Sequence, residues 1–335
     1  MVWTAHHDRL HQTLRSRSLL HPKQSVLLAI SGGQDSLCLG QLFRDLQPKW
    51  GWRLGILHCD HRWRSDSEAN AQQVQAQAQH WQIPCQVVAA PTPPRGEAAA
   101  RTWRYGILTE IAQTQGYGAV VTGHTASDRA ETLLHNLMRG SGADGLAALT
   151  WQRPLTPEIH LVRPLLNWLR SETAQFCQDH HLLVWDDSSN HDRRYSRNRI
   201  RLDLLPQLRS FNPQVDHHLA QTADLLQADV AYLESQAQTL RLQIQQGDRL
   251  HRSPLQGAPI ALQRRVIRQF LQVHLPQSPT FAHIAKLVAL ITAPQKSQTD
   301  PFPGGAIAQV RGEWLVLMPQ PSPQSRSGES PDQDP

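Results

Sequence analysis

Lysine is nearly missing from this chain of 335 residues: of 33 basic side chains, only Lys23, Lys49, Lys286 and Lys296 are lysine and the other 29 are arginine. Cysteine is sparse too. Cys38, Cys59, Cys85 and Cys177 are widely scattered with no C-x-x-C spacing, which argues against a disulfide framework or a structural zinc site and fits a reducing compartment. No apolar run approaches the ~20 residues that span a bilayer. The N-terminal MVWTAHHDRLHQ also lacks the apolar stretch of a signal peptide. A soluble, cytoplasmic protein with no membrane partner is therefore expected. The apolar fraction is only 39%, yet ten tryptophans and several Leu/Val/Ile runs suffice for a core, which excludes a wholly disordered chain.

What is present is charge of one kind in one place. The net charge is +5, but the last fifteen residues carry one arginine against Glu329, Asp332 and Asp334, so that segment sums to −2 and the rest to +7. A guanidinium fork matches phosphate oxygens in pairs, so an arginine-built excess points to a phosphate-rich partner. A basic surface set by overall composition gives the same count, and charge alone leaves both readings open.

Apolar runs and helical stretches alternate through the first half. Val26–Ile30, Leu54–His58, Gln86–Ala89 and Ala119–Thr122 read as buried parallel strands. Leu37–Leu46, Ser67–Gln82, Glu97–Gln115 and Ser127–Arg139 carry helical spacing between them. This alternation predicts an α/β fold, a doubly wound and mainly parallel sheet, over residues 1–212. After Asn212-Pro213 a smaller, mostly helical domain is expected over 213–318. Its pieces are a long amphipathic stretch from Val215 to about Leu242, helices at Leu262–His274 and Phe281–Ile291, and a hairpin within Ala306–Leu317. Residues 319–335 are low in complexity, and a disordered acidic tail is expected there.

The sharpest local signal is an apolar strand running into Ser31-Gly32-Gly33-Gln34-Asp35-Ser36 and then a helix. Adjacent glycines let the backbone turn sharply, and the helix start offers free N–H groups to a phosphate. The missing lysine matters again: this is not the G-x-x-x-x-G-K-[ST] loop. Asp35 would repel a phosphate unless a divalent cation lay between them, which implies Mg²⁺. An ordinary strand-to-helix turn capped by Asp35 and Ser36 is the alternative.

Further on, His58 and Asp60 share one face of an extended segment while Cys59 and His61 share the other, so a four-residue metal cluster is awkward. His124, Asp128, Glu131 and His135 follow at steps of four, three and four, one helical stripe suited to Mg²⁺ or acid/base work, or else a capped polar face. Arg139-Gly140-Ser141-Gly142 supplies a flexible loop bearing a cation. From Arg193 to Arg209 there are six arginines against Asp203 alone, interleaved with Tyr195 and Asn198. That mixture suits stacking on a base while holding phosphates, although an arginine run is also a common solvated face.

SGGQDS matches the S-G-G-x-D-S loop of the ATP-pyrophosphatase superfamily. Those enzymes cleave ATP between the α- and β-phosphates, adenylate a carbonyl-type oxygen, and let a nitrogen or sulfur nucleophile displace AMP. Four further segments, LHCDHRWRSDSEAN, GEAAARTWRYGIL, TGHTASDRAETLLHNLMRGSGADGL and, as the most discriminating, RPLLNWLRSETAQFC followed by DDSSNHDRRYSRNRIRLDLLPQLRSFNP, resemble the tRNA(Ile)-lysidine synthase family, and the likeness runs from residue 24 to about 213. The resemblance implies ATP binding by Ser31, Gly32, Gly33, Gln34, Asp35, Ser36, His58, Gly123 and His124, with Mg²⁺ on Asp35 and Asp128. It implies catalytic parts for Asp35, Asp128, Glu131, Arg104 and Arg139, and nucleotide or substrate contact by Arg101 and Arg104. Contact with tRNA is implied for Arg194, Tyr195, Arg197, Asn198 and Arg201. Thr125 and Ser127 stand where the family pattern usually shows His and Asp, so roles at those two positions do not carry over.

The implied reaction is ATP-dependent attachment of free L-lysine to the C2 carbon of the wobble cytidine in tRNA(Ile) with a CAU anticodon, giving lysidine, AMP and pyrophosphate. A homodimer is suggested and the oligomeric state is left open. The alternatives are a tRNA 2-thiolation enzyme of the same superfamily, which needs a reactive cysteine pair or an iron–sulfur site, and a non-catalytic tRNA-binding protein.

Overall fold

The apolar runs of the first half become strands, three of them largely buried and the fourth, Cys85–Ala89, only half-buried because it forms the edge of the sheet. The computed structural model describes residues 3–63, 66–186 and 192–318, so the tail expected over 319–335 lies outside the described residues. The chain divides into two compact units, Met1–Gln227 and Ala228–Pro335.

The first unit runs α1 (Ala5–Ser16), β1 (Ser25–Ala29), α2 (Gln34–Trp50), β2 (Arg53–Asp60), α3 (Ser67–Trp81), β3 (Cys85–Ala89), α4 (Glu97–Thr114), β4 (Ala119–Thr122) and α5 (Ala126–Met138). It continues through α6 (Ala143–Leu146), β5 (Gln152–Pro154), β6 (His160–Val162), α7 (Arg170–Asp179), α8 (Ser196–Arg199), a π turn at Ile200–Leu204, and α9 (Leu205–Phe211). Then comes α10 (Val215–Ile244), whose first half belongs to this unit. The sheet order is β3-β2-β1-β4-β6-β5, parallel except for β5.

Alternate residues of β1 go to opposite sides, as period two requires. Val26 and Leu28 join one core with Leu42, Phe43, Trp81 and Phe176, while Leu27 joins the other with Leu108 and Tyr117. Helices thus cover both faces, the doubly wound arrangement that the alternating runs predict. Five tryptophans (50, 52, 81, 151 and 168) are buried, with Trp50 and Trp52 stacked at 4.9 Å. The buried Arg129 of α5 reaches Asp224 on α10 at 3.3 Å, and Asp224 also accepts from Trp151 at 2.6 Å and Arg17 at 2.8 Å. This charged knot ties the start of α10 to the first unit, so the unit extends past the expected boundary at 212.

In the second unit, β7 (Gln245–Gln246), β8 (Arg249–His251), α11 (Arg252–Gln256), α12 (Ile260–His274), α13 (Phe281–Ala289), β9 (Ile307–Arg311) and β10 (Trp314–Met318) follow the second half of α10. Phe270, Leu271, Leu287, Val310 and Leu315 form its core. The expected hairpin is β9–β10, turned at Gly312 with φ +59°. It belongs to an antiparallel sheet of order β7-β8-β10-β9. β7 and β8 are two and three residues long, too short for a period of two to declare itself in sequence. Among the described residues no helix is long and apolar enough to cross a membrane.

Candidate active site

In an open parallel sheet, ligands bind beyond the carboxyl ends of the strands where the strand order reverses. Here that point lies between β1 and β4. A cavity of about 420 Å³ opens there, walled by the phosphate loop after β1, the ends of β2 and β4, α4, and the segment around α8.

The loop is held open. Gly33 is the N-cap of α2 and no side chain caps that helix, so Asp35 and Ser36 do not serve as caps and the first-turn N–H groups face the cavity region unclaimed by a side chain. Ser36 Oγ donates to Gly33 O at 2.8 Å and accepts from the Ser31 N–H at 3.1 Å, which fixes the turn. Asn70 donates to Ser31 O at 3.1 Å, and the Trp185 N–H donates to Gly32 O at 3.0 Å. The two glycines are not equivalent. Gly32 has φ +90°, and a Cβ there would stand 2.2 Å from Asn70 Oδ1, whereas at Gly33 nothing lies closer than 3.7 Å. Gly32→Ala should therefore cost about 1–3 kcal/mol of stability, with Gly33→Ala costing far less. Paired thermal melts check this, and equal losses would mean the loop is not strained at Gly32. Gly123, after β4, is needed for a different reason: a Cβ would meet Asp35 O at 2.7 Å.

Asp35 is held by α7. Its carboxylate accepts from the Thr173 hydroxyl and lies 3.7 Å from Arg170 Nε. Gln34 turns the same way, donating to Arg170 O at 2.6 Å, so its side chain braces α7 instead of meeting the nucleotide. Burial, followed by repulsion from Asp128 and opposed by Arg170, pushes the Asp35 carboxyl up to about 6. Asp128 behaves oppositely. Burial opposes its ionisation, but the charges of Arg197 and Arg170 and the Thr125 N–H hold it down at about 2. Asp128 Oδ2 accepts from the Thr125 N–H at 2.8 Å and hydroxyl at 2.9 Å, the reciprocal cap of α5. Thr125 and Ser127, where the family motif differs, thus have structural uses here: Thr125 caps α5, and Ser127 Oγ accepts from the Arg170 N–H at 3.2 Å.

His58 and His124, expected to meet ATP, both line the cavity, and burial keeps them neutral: His58 is shifted down, and His124 well down. His58 donates from Nδ1 to Ile30 O at 2.8 Å, and His124 Nδ1 meets the Thr122 hydroxyl at 2.8 Å. Thr125 starts α5, so His124 lies before the helix and the expected four-residue stripe does not form.

Glu131 is placed differently from its expected catalytic part. It is buried, does not line the cavity, and its carboxylate is gripped by Arg201 at 2.6 and 2.9 Å and by Arg197 at 3.3 Å. Arg197 and Arg201 also lie 3.9 and 3.6 Å from Asp128. With Tyr195 and Asn198 they line the same cavity as the phosphate loop, so this part of the arginine-rich connector folds over the nucleotide side. Arg104 lines the cavity as well. Arg139 is exposed at the end of α5, and Arg194 is exposed and bonded to Asp192 at 2.7 Å; neither lines the cavity. Sequence reasoning gave no role to Arg170, Thr173, Asn70 or Trp185, whose contacts arise through folding across long stretches of chain.

The thiols are poorly suited to sulfur transfer. Cys38 and Cys177 are buried, and burial pushes Cys59 and Cys177 up to about 12 and Cys85 up to about 11, so little thiolate exists near neutral pH.

Residues 4–208 match the PP-loop domain family, and residues 250–313 match the TilS substrate binding domain family. The chain is 57% identical over 334 residues to a tRNA(Ile)-lysidine synthase from Nostoc sp., covering 95% of this chain and 98% of the relative. It is 53% identical over 316 residues to a tRNA(Ile)-lysidine synthase from Synechococcus sp., covering 94% and 97%. A chloroplastic tRNA(Ile)-lysidine synthase from Zygnema circumcarinatum is 35% identical, covering 87% and 81%. Among solved structures, the U34-tRNA thiolase NcsA from Methanococcus maripaludis aligns with a TM-score of 0.57 at 16% identity, over 66% of this chain and 78% of that one, a likeness of fold alone.

Proposed function

The chain belongs to the tRNA(Ile)-lysidine synthase family, a group of PP-loop enzymes, and from that premise we propose how its own residues make lysidine. It is an ATP-using ligase that forms lysidine on tRNA(Ile). The observation that carries the mechanism is that Asp35, Asp128, Arg104, Arg197 and Arg201 line the phosphate-loop cavity together.

The uncapped start of α2 and the Ser31–Ser36 turn bind the ATP phosphates. Asp35 and Asp128 would hold Mg²⁺. The fit is chemical: Mg²⁺ is commonly bound by one or two carboxylates together with substrate phosphates, and Asp35 is a buried carboxylate raised partly by its acidic neighbour. When bound, the ion neutralises charge on the phosphates.

Arg104, Arg197 and Arg201 stabilise charge as the C2 oxygen of cytidine attacks the α-phosphate and pyrophosphate leaves. The side-chain amine of free L-lysine then attacks C2. The new C–N bond forms, the C–O bond breaks, and AMP departs with the former base oxygen. His124, neutral and beside Asp128, accepts the amine proton. The substrate is tRNA(Ile) with a CAU anticodon in the cytoplasm, its cytidine splayed from the stack and its phosphates met by Arg194 and Arg139. The working unit is a homodimer, for which Leu225 and Tyr232, both exposed on α10, offer apolar surface.

Incubation with radiolabelled lysine, ATP, Mg²⁺ and tRNA(Ile) transcripts tests the reading. Label should enter the CAU transcript and not one whose wobble cytidine is replaced by uridine. Equal labelling of both, or of neither, contradicts it.

A further inference from the structure

The small sheet of the second unit has an outward face unlike one that meets only water. Side chains alternate along a strand, and Leu250, Ala308, Val310, Leu315 and Leu317 take the core side. The solvent side of an antiparallel sheet is ordinarily polar. Here it carries Trp314, Val316 and Met318 on β10 and Ile307 on β9, none of them fully buried. The run WLVLM hides this in sequence, because every residue in it is apolar and a period of two leaves no mark. Register sets the outward residues in rows. His251, Trp314 and Arg311 stand side by side across β8, β10 and β9, and Arg249, Val316 and Gln309 form the next row. The Arg249 guanidinium lies 4.3 Å over the Trp314 ring, and His251 meets that ring edge-on at 5.0 Å. Arg249 and Arg311 are exposed and bond to the neutral side chains of Gln246 and Gln309, both at 2.8 Å. Neither has a carboxylate partner among the described residues, and Asp248 and Glu313 lie in the turns that lead into β8 and β10.

We propose that this face binds an unpaired nucleotide of the tRNA, its base stacked on Trp314 and its flanking phosphates on Arg249 and Arg311. This rests on the reading of tRNA(Ile) as the substrate. A half-open indole between two guanidinium groups calls for a flat apolar surface with negative charge beside it, and an unpaired nucleotide supplies both. A base-paired stem offers phosphates but keeps its bases stacked on one another, so the part of the tRNA that fits is a loop or an end. Arg249 marks the position: its planar guanidinium lies over the indole where the base would lie, and a phosphate next to that base draws it off the ring into a charge-assisted contact. None of these residues lines the phosphate-loop cavity, so the face grips tRNA at a second place, separate from the chemistry.

Filter binding of the full chain to a tRNA(Ile) transcript, over a series of salt concentrations, tests this. Trp314→Ala should raise Kd about tenfold, the worth of one stacked base, and leave the salt dependence as it is. Trp314→Phe should keep most of the affinity and Trp314→Leu should not, since leucine fills space without offering a ring. Arg249→Gln and Arg311→Gln should each reduce the slope of log Kd against log salt by about 0.7–0.9, one phosphate contact apiece. In steady state the KM for tRNA(Ile) should rise with Kd while the KM for ATP stays in place. The arginine variants, at exposed positions, give an independent reading should Trp314→Ala fold poorly. Wild-type affinity in Trp314→Ala together with wild-type slopes in the arginine variants would overturn the assignment. So would a Trp314→Leu protein that binds as tightly as wild type, which would mark the indole as filler or as the seat of a protein partner. A wild-type chain that binds no tRNA(Ile) at all would sink the proposed function itself, a separate result.

Discussion

Asp35→Asn should reduce tRNA-dependent ATP/pyrophosphate exchange by about a thousandfold while making the protein more stable. The two effects share one cause. Asparagine keeps the shape and can still accept from Thr173, so what is lost is the charge. Burial and the nearby Asp128 make that charge costly, lifting the carboxyl to about 6 from an ordinary value of 3.8. A carboxyl raised on folding weakens the folded state only once it must ionise. The penalty is absent below pH about 4, grows between 4 and 6, and is complete above 6, where it is worth about 1–3 kcal/mol. Melting curves of wild type and variant should therefore coincide in acid and separate as the pH rises, with the variant the more stable at neutral pH. Exchange by the wild type should fall as the pH drops through about 6. An active Asp35→Asn enzyme would remove Asp35 from the nucleotide site. An inactive one no more stable than wild type at any pH would mean its carboxylate is not held at a cost.

Glu131→Gln should destabilise the fold by about 3–5 kcal/mol, the usual result of removing one partner from a buried ion pair. Glu131 is buried and answers two guanidinium groups, with Arg201 gripping both of its oxygens. Without that carboxylate, Arg197 and Arg201 lose the anchor that aims them into the cavity, and exchange falls as well. The double variant Glu131→Gln/Arg201→Gln leaves one guanidinium fewer unpaired. It should recover part of the stability in urea unfolding but none of the activity, because the cavity then lacks a cation. This separates a positioning part for Glu131 from a catalytic one: a base acting on substrate would cost activity with little change in stability. Stability unaffected by Glu131→Gln would contradict the anchoring geometry.

The reach of sequence reasoning follows from how local each feature is. Four of the five parallel strands were legible because each is a short apolar run bounded by a turn, and the phosphate loop because Gly32 needs a conformation that few residues adopt. Helix α7 holds Asp35 through Thr173, but the two residues are 138 positions apart, and RSETAQFC read alone is an ordinary polar helix start. Helical spacing brought Asp128 and Glu131 to one stripe. It could not tell that Asp128 would cap α5 and face the cavity while Glu131, one turn on, would be enclosed by arginines. The arginine run was legible as a phosphate-seeking feature. Which of its members met a carboxylate, and which a cavity, depended on the chain folding back over β4, information that no spacing within the run contains.

The central claim is that one cavity first activates the base oxygen and then exchanges it for an amine. The most direct measurement follows that oxygen. With tRNA(Ile) carrying heavy oxygen at C2 of the wobble cytidine, the AMP released during lysidine formation should contain the heavy atom, as read by mass spectrometry. Unlabelled AMP, with the heavy oxygen lost to water or phosphate, would contradict adenylation of the base.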